Sequence, residues 1–504
     1  MDKKIEDIPS KYQPLVSDLL KEITVLKNEV ILLKEQLNLF LHRKYSSNAD
    51  DLHPGMRMLF NEAEEDDSVK KKEEIDEPQD VKPHTRKKPK RKPIPENIPR
   101  IEKRYELDEK ELRCSIDGTQ LVKIGEDTSE QLDIIPAKIQ VIKHIRFKYA
   151  CKTCEGQVKT ASMEPQPIPK SLASPGLLAH IAVSKYEDSL PLYRQEQIFK
   201  RIGIDLPRSS LASWMIKASQ LLSPIINKLK QELLAANYLQ CDETPVQVLN
   251  EPGKPAKSTS YMWVVSKTDP GKHIVLYHYS PSRSGSVPVK LLRGFKGYLQ
   301  TDGYEGYNQI RSQQDVYGVA CLAHIRRKFV DAVNAKKKPS KAGICVTGLD
   351  YITNLYSLEK QAREMTSKER YCFRLEKSTP IIDELKEWLF DKVNYVPPQS
   401  LTGKAMTYFV KQWPRFINYL ADGKIEVDNN RCERMVRPFT IGRKNWLFSA
   451  SVSGATASAD LYSLIVTAKQ NGLNTYDYLK KVLTEMPKLK ANDIDQLMPY
   501  KKLD

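Results

Sequence analysis

Apolar positions recur every seven residues near the start of the chain. Val16, Ile23, Val30 and Leu37 form one series, and Leu19, Leu26, Leu33 and Phe40 form a second, three residues later. Branched residues in the first series and mostly leucine in the second predict a two-stranded parallel coiled coil, a leucine-zipper-like element over residues 12–45. An amphipathic helix lying on another domain would show the same stripe; the strict spacing favours the zipper, and with it a homodimer. The periodicity then stops. Residues 62–105 are rich in charge and proline, acidic first and then basic, and six of the seven residues from Arg86 to Lys92 are Lys or Arg. Such a stretch buries too little apolar surface to fold alone and reads as a linker, whose basic half either touches DNA phosphates or merely solvates a tether. Strand-like alternation follows within residues 106–160, through Ile139, Val141 and Ile145.

Helical periodicity opens at Ser174-Pro175 and continues from Leu192 to Ile202 and from Ser210 to Leu222. The break at Gly203-Ile204-Asp205-Leu206-Pro207 is compatible with a helix-turn-helix inside residues 170–230, with Arg201 and Arg208 as the cations to meet DNA. A helical pair that only packs would look the same. From residue 235 to 330 the pattern turns to strands: Tyr238 to Val248, Tyr261 to Ser266, His273 to Tyr279, Gly297 to Thr301 and Tyr317 to Leu322, with a helix from Val287 to Leu292. Periodicity alone says α/β. Residues 331–425 are mainly helical and far too long for a loop, so they read as an insertion. In the closing segment, residues 426–484, a helix from Ser453 to Gln470 carries Leu461, Leu464, Ile465 and Ala468 on one face and stops at Asn471-Gly472. Residues 485–504 read as a tail.

Composition narrows the class. The 504 residues allow about three domains. A net charge of +16 and a pI near 9.2 favour an anionic partner, most simply nucleic acid. No run of about 18 uncharged apolar residues appears, which argues against a membrane protein and for a cytoplasmic one. Eight cysteines are too sparse for a disulfide framework, and Cys151 and Cys154 form the one close pair.

Three acids stand out. Asp242 and Asp302 each follow a short apolar strand, where a packed sheet can hold a carboxylate rigidly at its edge. Glu433 lies among Arg431, Arg434, Arg437, Arg443 and Lys444, on a helix that Asp428, Asn429 and Asn430 are placed to start and that Pro438 is expected to end. Five cations around one acid suit a place where a metal-bound carboxylate meets a polyanion. Competing acids have duller readings: Glu243 should face the opposite side of its strand, Glu305 lies in a turn, and Asp428 caps a helix.

The blocks DNNRCERMVRPFTIGRKNWLFSAS, SLIVTAKQNG and YDYLKKVL, with QCDETPVQVL, LQTDGYEGY and CLAHIRRKF before them in order, resemble the large transposase protein of bacterial insertion-sequence family 66. The resemblance implies a multidomain α/β protein: a ribonuclease H-like catalytic core with a helical insertion, preceded by the coiled coil, a small zinc-finger-like domain and a helical DNA-binding region. It implies an Asp-Asp-Glu transposase in which Asp242, Asp302 and Glu433 hold two Mg2+ (or Mn2+) ions, hard cations that oxygen ligands suit. Its DNA partners would be the terminal inverted repeats and a target duplex, in the bacterial nucleoid, with helper proteins of the same element as further candidates. The family's finger has four cysteines, whereas here Cys114, Cys151 and Cys154 are joined by Asp117 at the expected fourth position. A carboxylate can ligate Zn2+, so a structural zinc and a metal-free finger both stay open.

His324 is a packing or phosphate-contacting residue by default. Arg326, Arg327 and Lys328, and with them Arg434, Arg437, Arg443 and Lys444, are candidate DNA contacts. Trp446 either stacks on an unpaired base or belongs to the core. Besides a transposase, the sequence admits a non-cleaving repressor or bridging protein descended from one, and a nuclease that cuts without joining.

Overall fold

The computed structural model describes residues 13–45, 139–150, 158–269, 272–335, 343–489 and 493–501. The chain divides into two units, one comprising residues 71–163 and the other the remainder. In the smaller unit a short hairpin pairs β1 (Lys148–Ala150) with β2 (Val158–Thr160). The linker and all four finger residues, Cys114, Asp117, Cys151 and Cys154, lie outside the described residues.

In the larger unit the heptad segment forms one continuous helix, α1 (Gln13–Tyr45). Leu19, Leu26, Leu33, Leu37 and Phe40 all remain about half exposed in the single chain. Three helices follow: α2 (Pro175–Tyr186), α3 (Leu192–Arg201) and α4 (Arg208–Leu234). Ser174 caps α2 by accepting from the Leu177 amide at 3.2 Å. Gly203, at φ +82°, makes the break between α3 and α4. The last of these runs twelve residues beyond the expected Leu222, through Pro224, because one face buries Leu222, Ile225, Leu229 and Leu233.

Among the described residues the central sheet has six strands, and five form its main path: β3 (Tyr238–Asn250), β4 (Thr259–Asp269), β5 (Lys272–Ser280), β6 (Gly297–Thr301) and β7 (Val316–Ala320). Their spatial order is β5-β4-β3-β6-β7, with β3 to β5 antiparallel and β6 and β7 parallel to β3. A helix α5 (Ser286–Leu291) and one turn, α6 (Asn308–Arg311), serve the crossovers. The final strand stops at Ala320, short of the expected Leu322, which instead begins α7 (Leu322–Asn334).

The helical stretch after it comprises α8 (Ile344–Gln361), α9 (Ser367–Phe373), α10 (Thr379–Lys392) and α11 (Leu401–Phe416); α8, α10 and α11 pack with α7 into a second core that also takes in Tyr238 of β3 and Val319 and Ala320 of β7. The chain then returns to the sheet through α12 (Asn430–Trp446), β8 (Ser449–Ser451), which pairs with the far end of β3, α13 (Val452–Gln470) and α14 (Thr475–Glu485). Pro438 does not end α12 as expected but lies inside it. Proline withdraws one amide donor, and burial of Val436, Phe439 and Gly442 on the far side carries the helix across that gap.

The reading of α13 as one-faced also needs correction, since it is buried nearly all round. Ser463, Thr467 and Asn471 recur every four residues and meet the outer edge of β5. Ser463 Oγ accepts from the Tyr277 amide at 2.8 Å, Thr467 Oγ1 from the Val275 amide at 3.1 Å, and Asn471 Oδ1 from the His273 amide at 3.0 Å. A polar stripe thus seals an edge that would otherwise offer bare backbone to another strand. The tail is docked as well: Leu497 and Met498 are buried, and the Tyr500 hydroxyl donates to Glu232 at 2.7 Å.

Gly297 sets the start of β6 at φ +135°, where any Cβ would overlap the Asn237 carbonyl, the group that accepts from the Tyr298 amide at 2.8 Å. Gly297→Ala should therefore unseat the β3–β6 pairing and lower stability by about 1–3 kcal/mol. A chemical denaturation midpoint equal to the parent's would contradict this.

Candidate active site

The strands β3 and β6 carry the same five-residue frame, Tyr238-Leu239-Gln240-Cys241-Asp242 and Tyr298-Leu299-Gln300-Thr301-Asp302. They pair in that frame, Tyr238 opposite Tyr298, Leu239 opposite Leu299 and Gln240 opposite Gln300. Two residues further along the same register, Asp242 lies level with Asp302 just past the end of β6. Strand β3 itself runs on to Asn250 and pairs Asp242 with Val264 of β4, so Asp242 sits within its strand and not at the strand end expected of it. The backbone of Asp302 is held in place: its carbonyl accepts from Arg311 Nη2 at 2.7 Å, and its Oδ1 accepts from the Tyr304 amide at 3.0 Å. Gly303 follows because the Tyr408 hydroxyl occupies the space a Cβ would need. The Arg311 guanidinium is so far from water that its pKa is pulled down to about 10, chiefly by burial.

A buried amide network brings α12 to these strands. Gln240 Nε2 donates to Gln300 Oε1 at 2.8 Å and to the Asp428 carbonyl at 3.0 Å, and Gln300 Nε2 donates to the Glu426 carbonyl at 2.9 Å. The Tyr238 hydroxyl accepts from the Glu426 amide at 3.2 Å. Asn429, wholly buried, donates its amide to Cys321 Sγ at 3.2 Å and its side chain to the Cys241 carbonyl at 3.3 Å. Asn429, not Asp428 as expected, holds the N-cap position of α12, and Asp428 Oδ1 accepts from the Asn430 amide at 3.1 Å in the turn that leads into it. One turn into α12, Glu433 is thereby brought toward Asp242 on β3 and the end of β6. The two glutamines went unnoticed in the sequence, although the repeated YLQ-x-Asp frame marks both.

The Asp242 carboxyl is held well above the usual carboxylate range, first by burial and then by the charges of Glu243, Glu433 and Asp302. Glu243 faces the other way, as strand alternation requires: Arg283 reaches its Oε1 at 2.6 Å through Nη2 and 2.8 Å through Nε, and the Tyr307 hydroxyl donates to Oε2. Those two partners occupy both of its oxygens. Glu305 is exposed in its turn.

His324, on the first turn of α7, stands with Nδ1 at 3.6 Å from Glu433 Oε1, and neither atom has a hydrogen-bond partner. Burial holds this imidazole below its ordinary pKa. Cys321, His324 and Glu433 present ligand atoms that all lie within 4.8 Å of one another. A buried carboxyl, that of Asp242, beside two further carboxylates, and a buried Glu433 oxygen without a donor fit divalent cations, and Asp242, Asp302 and Glu433 are the residues that would hold them.

The expected DNA contacts separate into groups. Arg327 and Lys328 are exposed, but Arg326 is 1% exposed and cannot touch a phosphate. It falls on the stripe of α7 that buries Leu322, Ile325, Phe329 and Val330. Arg437 and Lys444 are exposed. Arg443 is engaged with β3, donating to Thr244 Oγ1 at 3.1 Å and to the Pro245 carbonyl. Arg434 lines a cavity of about 340 Å³ with Arg363, Arg431, Met435 and Gln470. Trp446 is half-buried and meets Phe439 edge-on at 5.4 Å, a packing position. Arg201 and Arg208 are exposed at the α3–α4 break.

Residues 170–457 match the family model described as transposase IS66 family, residues 111–155 the zinc-finger binding domain of transposase IS66, and residues 463–500 the IS66 C-terminal element. Residues 32–102 match a model described as transposase C of IS166 homeodomain. Two similar proteins, both from Sinorhizobium fredii, are named as uncharacterized. To y4jD the chain is 34% identical over 420 residues, covering 81% of each chain. To y4qI it is 34% identical over 431 residues, covering 82% of this chain and 78% of that one. With its large central match, its finger and its C-terminal element in one order, the chain belongs to the IS66 family of transposases.

Proposed function

We propose that this protein binds the terminal inverted repeats of its own element, cleaves DNA there in a metal-dependent reaction, and joins the freed ends to a target duplex. The observation that carries this reading is that the β3–β6 register sets Asp242 level with Asp302, with Glu433 of α12 among the charges that act on Asp242. The strand order, three antiparallel strands followed by two parallel ones on the far side of β3, supports a ribonuclease H-like core. A paired position inside β3, the end of β6 and one helix turn give three carboxylates fixed positions, which is what positioning an in-line displacement requires.

Paired divalent ions, when bound, supply countercharge for the attacking and leaving oxygens at phosphorus. The chain's own residues do the rest. Asp242 gives up the proton that burial favours, Arg311 and Tyr304 fix Asp302, and the glutamine pair fixes Glu433. Water attacks phosphorus in the first step, and the 3′ oxygen leaves as a hydroxyl. That hydroxyl attacks a target phosphodiester in the second step, so one P–O bond forms for each one broken. Phosphates on either side have Arg327, Lys328, Arg437 and Lys444 to meet, with the arginine-lined cavity beside α12 as a further anion site. The exposed turn with Arg201 and Arg208 suits end recognition.

Labelled element ends, a target plasmid and magnesium should yield joined products with this protein. Ends bound but never nicked would reject the reading.

The zipper supports pairing of two chains, which would let one assembly hold two DNA ends. Leu26→Asp together with Leu33→Asp places charge in that seam and should halve the mass measured by light scattering. An unchanged mass would remove α1 as the dimer contact.

A further inference from the structure

Divalent ions at an all-carboxylate site need oxygen donors alone, and that leaves His324 without a purpose. Its placement is specific. Cys321 caps the start of α7, His324 stands one turn in, and α12 brings Glu433 across to them. At 3.6 Å, His324 Nδ1 and Glu433 Oε1 are too far apart for a hydrogen bond. Each is buried with no hydrogen-bond partner, although leaving such atoms unsatisfied is costly. A cation between them satisfies both at once, since metal–nitrogen and metal–oxygen bonds of about 2 Å can span that gap from opposite sides. Nearby, Cys321 Sγ already accepts from the Asn429 amide, which fixes a soft atom at the edge of the same space.

We propose that His324 is a nitrogen ligand of the ion held by Glu433, so that this half of the site prefers a first-row transition ion such as Mn2+ to Mg2+. The inference rests on the metal-dependent reading of the acid cluster and deepens it. Nitrogen donors favour transition ions, whereas Mg2+ favours hard oxygens and keeps its waters. The two acids on the strands keep an oxygen-rich half for the second ion, and the preference is confined to the half built on α7 and α12.

The test uses the full chain without DNA and titrates Mn2+ and Mg2+ separately by calorimetry, with free Mn2+ followed by electron paramagnetic resonance. The parent should bind Mn2+ the more tightly. His324→Ala should weaken one Mn2+ site by about tenfold or more while Mg2+ binding moves by about twofold at most. His324→Gln, which keeps side-chain bulk but offers an amide oxygen, should likewise narrow the preference. Unchanged Mn2+ affinity in His324→Ala, or equal losses for the two ions, overturns the assignment. A far-ultraviolet circular dichroism spectrum and melting curve matching the parent's identify variants that remain folded, and His324→Gln carries the test if His324→Ala does not. DNA joining is not part of the readout. A chain that binds Mn2+ through His324 yet never cuts DNA would reject the proposed function and leave this ligand assignment standing.

Discussion

Asp242→Ala, Asp302→Ala and Glu433→Ala should each abolish magnesium-dependent end cleavage, with rates falling at least about a thousandfold and no one substitution much milder than the others. The three act as a unit, so a double substitution should cost little more than a single one. Binding to end DNA should survive, because the exposed cations that meet phosphate are separate side chains. Acidity should mimic the first substitution. Burial and neighbouring carboxylates raise the Asp242 pKa, so the proton competes with the metal at a higher pH than for an ordinary aspartate. Cleavage at limiting magnesium should accordingly fall as pH falls, and excess magnesium should restore it. Glu243→Gln is the comparison, since Glu243 faces Arg283 and Tyr307 on the other side of the strand. Full cleavage by any of the three alanine variants would refute the acid-cluster mechanism.

The second large effect concerns the helical stretch between β7 and α12. Arg374, wholly buried, makes a two-pronged pair with Glu359, at 2.8 Å from Nε and 2.6 Å from Nη2. Its remaining nitrogen donates to the carbonyls of Tyr419 at 3.1 Å and Asp422 at 3.2 Å. Glu359→Ala strands that guanidinium in the interior and should cost about 3–5 kcal/mol. The double variant Glu359→Leu, Arg374→Met removes both charges and should recover most of the loss. Lys392→Ala, which deletes an exposed pair with Asp391, should shift the midpoint by no more than about 0.5 kcal/mol. Urea denaturation followed by tryptophan fluorescence reports on this region through Trp388 and Trp413. A Glu359→Ala midpoint close to that of Lys392→Ala would mean that the buried pair is not holding the helices together.

Much of the architecture was legible because it repeats with a local period. Heptads gave α1, and alternation bounded by glycine and proline gave the five strands to within a few residues. Errors came where packing outvoted a local rule. Pro438 and Pro224 each sit inside a helix because one face of that helix is buried deeply enough to outweigh a missing amide bond. Arg326 looks like its neighbours Arg327 and Lys328 in the sequence, yet helical spacing turns it inward and leaves them outside. Trp446 and Arg443 were candidate DNA contacts and instead meet Phe439 and β3.

The sequence by itself determined which residues are candidates for the chemistry: two aspartates in matching YLQ-x-Asp frames and a glutamate in a field of cations stand out by residue type, and the family resemblance puts them in order. Tertiary structure decided how they are held and what joins them. The glutamine pair, the buried Asn429 and the approach of His324 to Glu433 link segments up to 188 residues apart. A period read along the chain carries no information about such meetings. They are set by strand register and by the need of buried amides for partners, which only the folded chain satisfies.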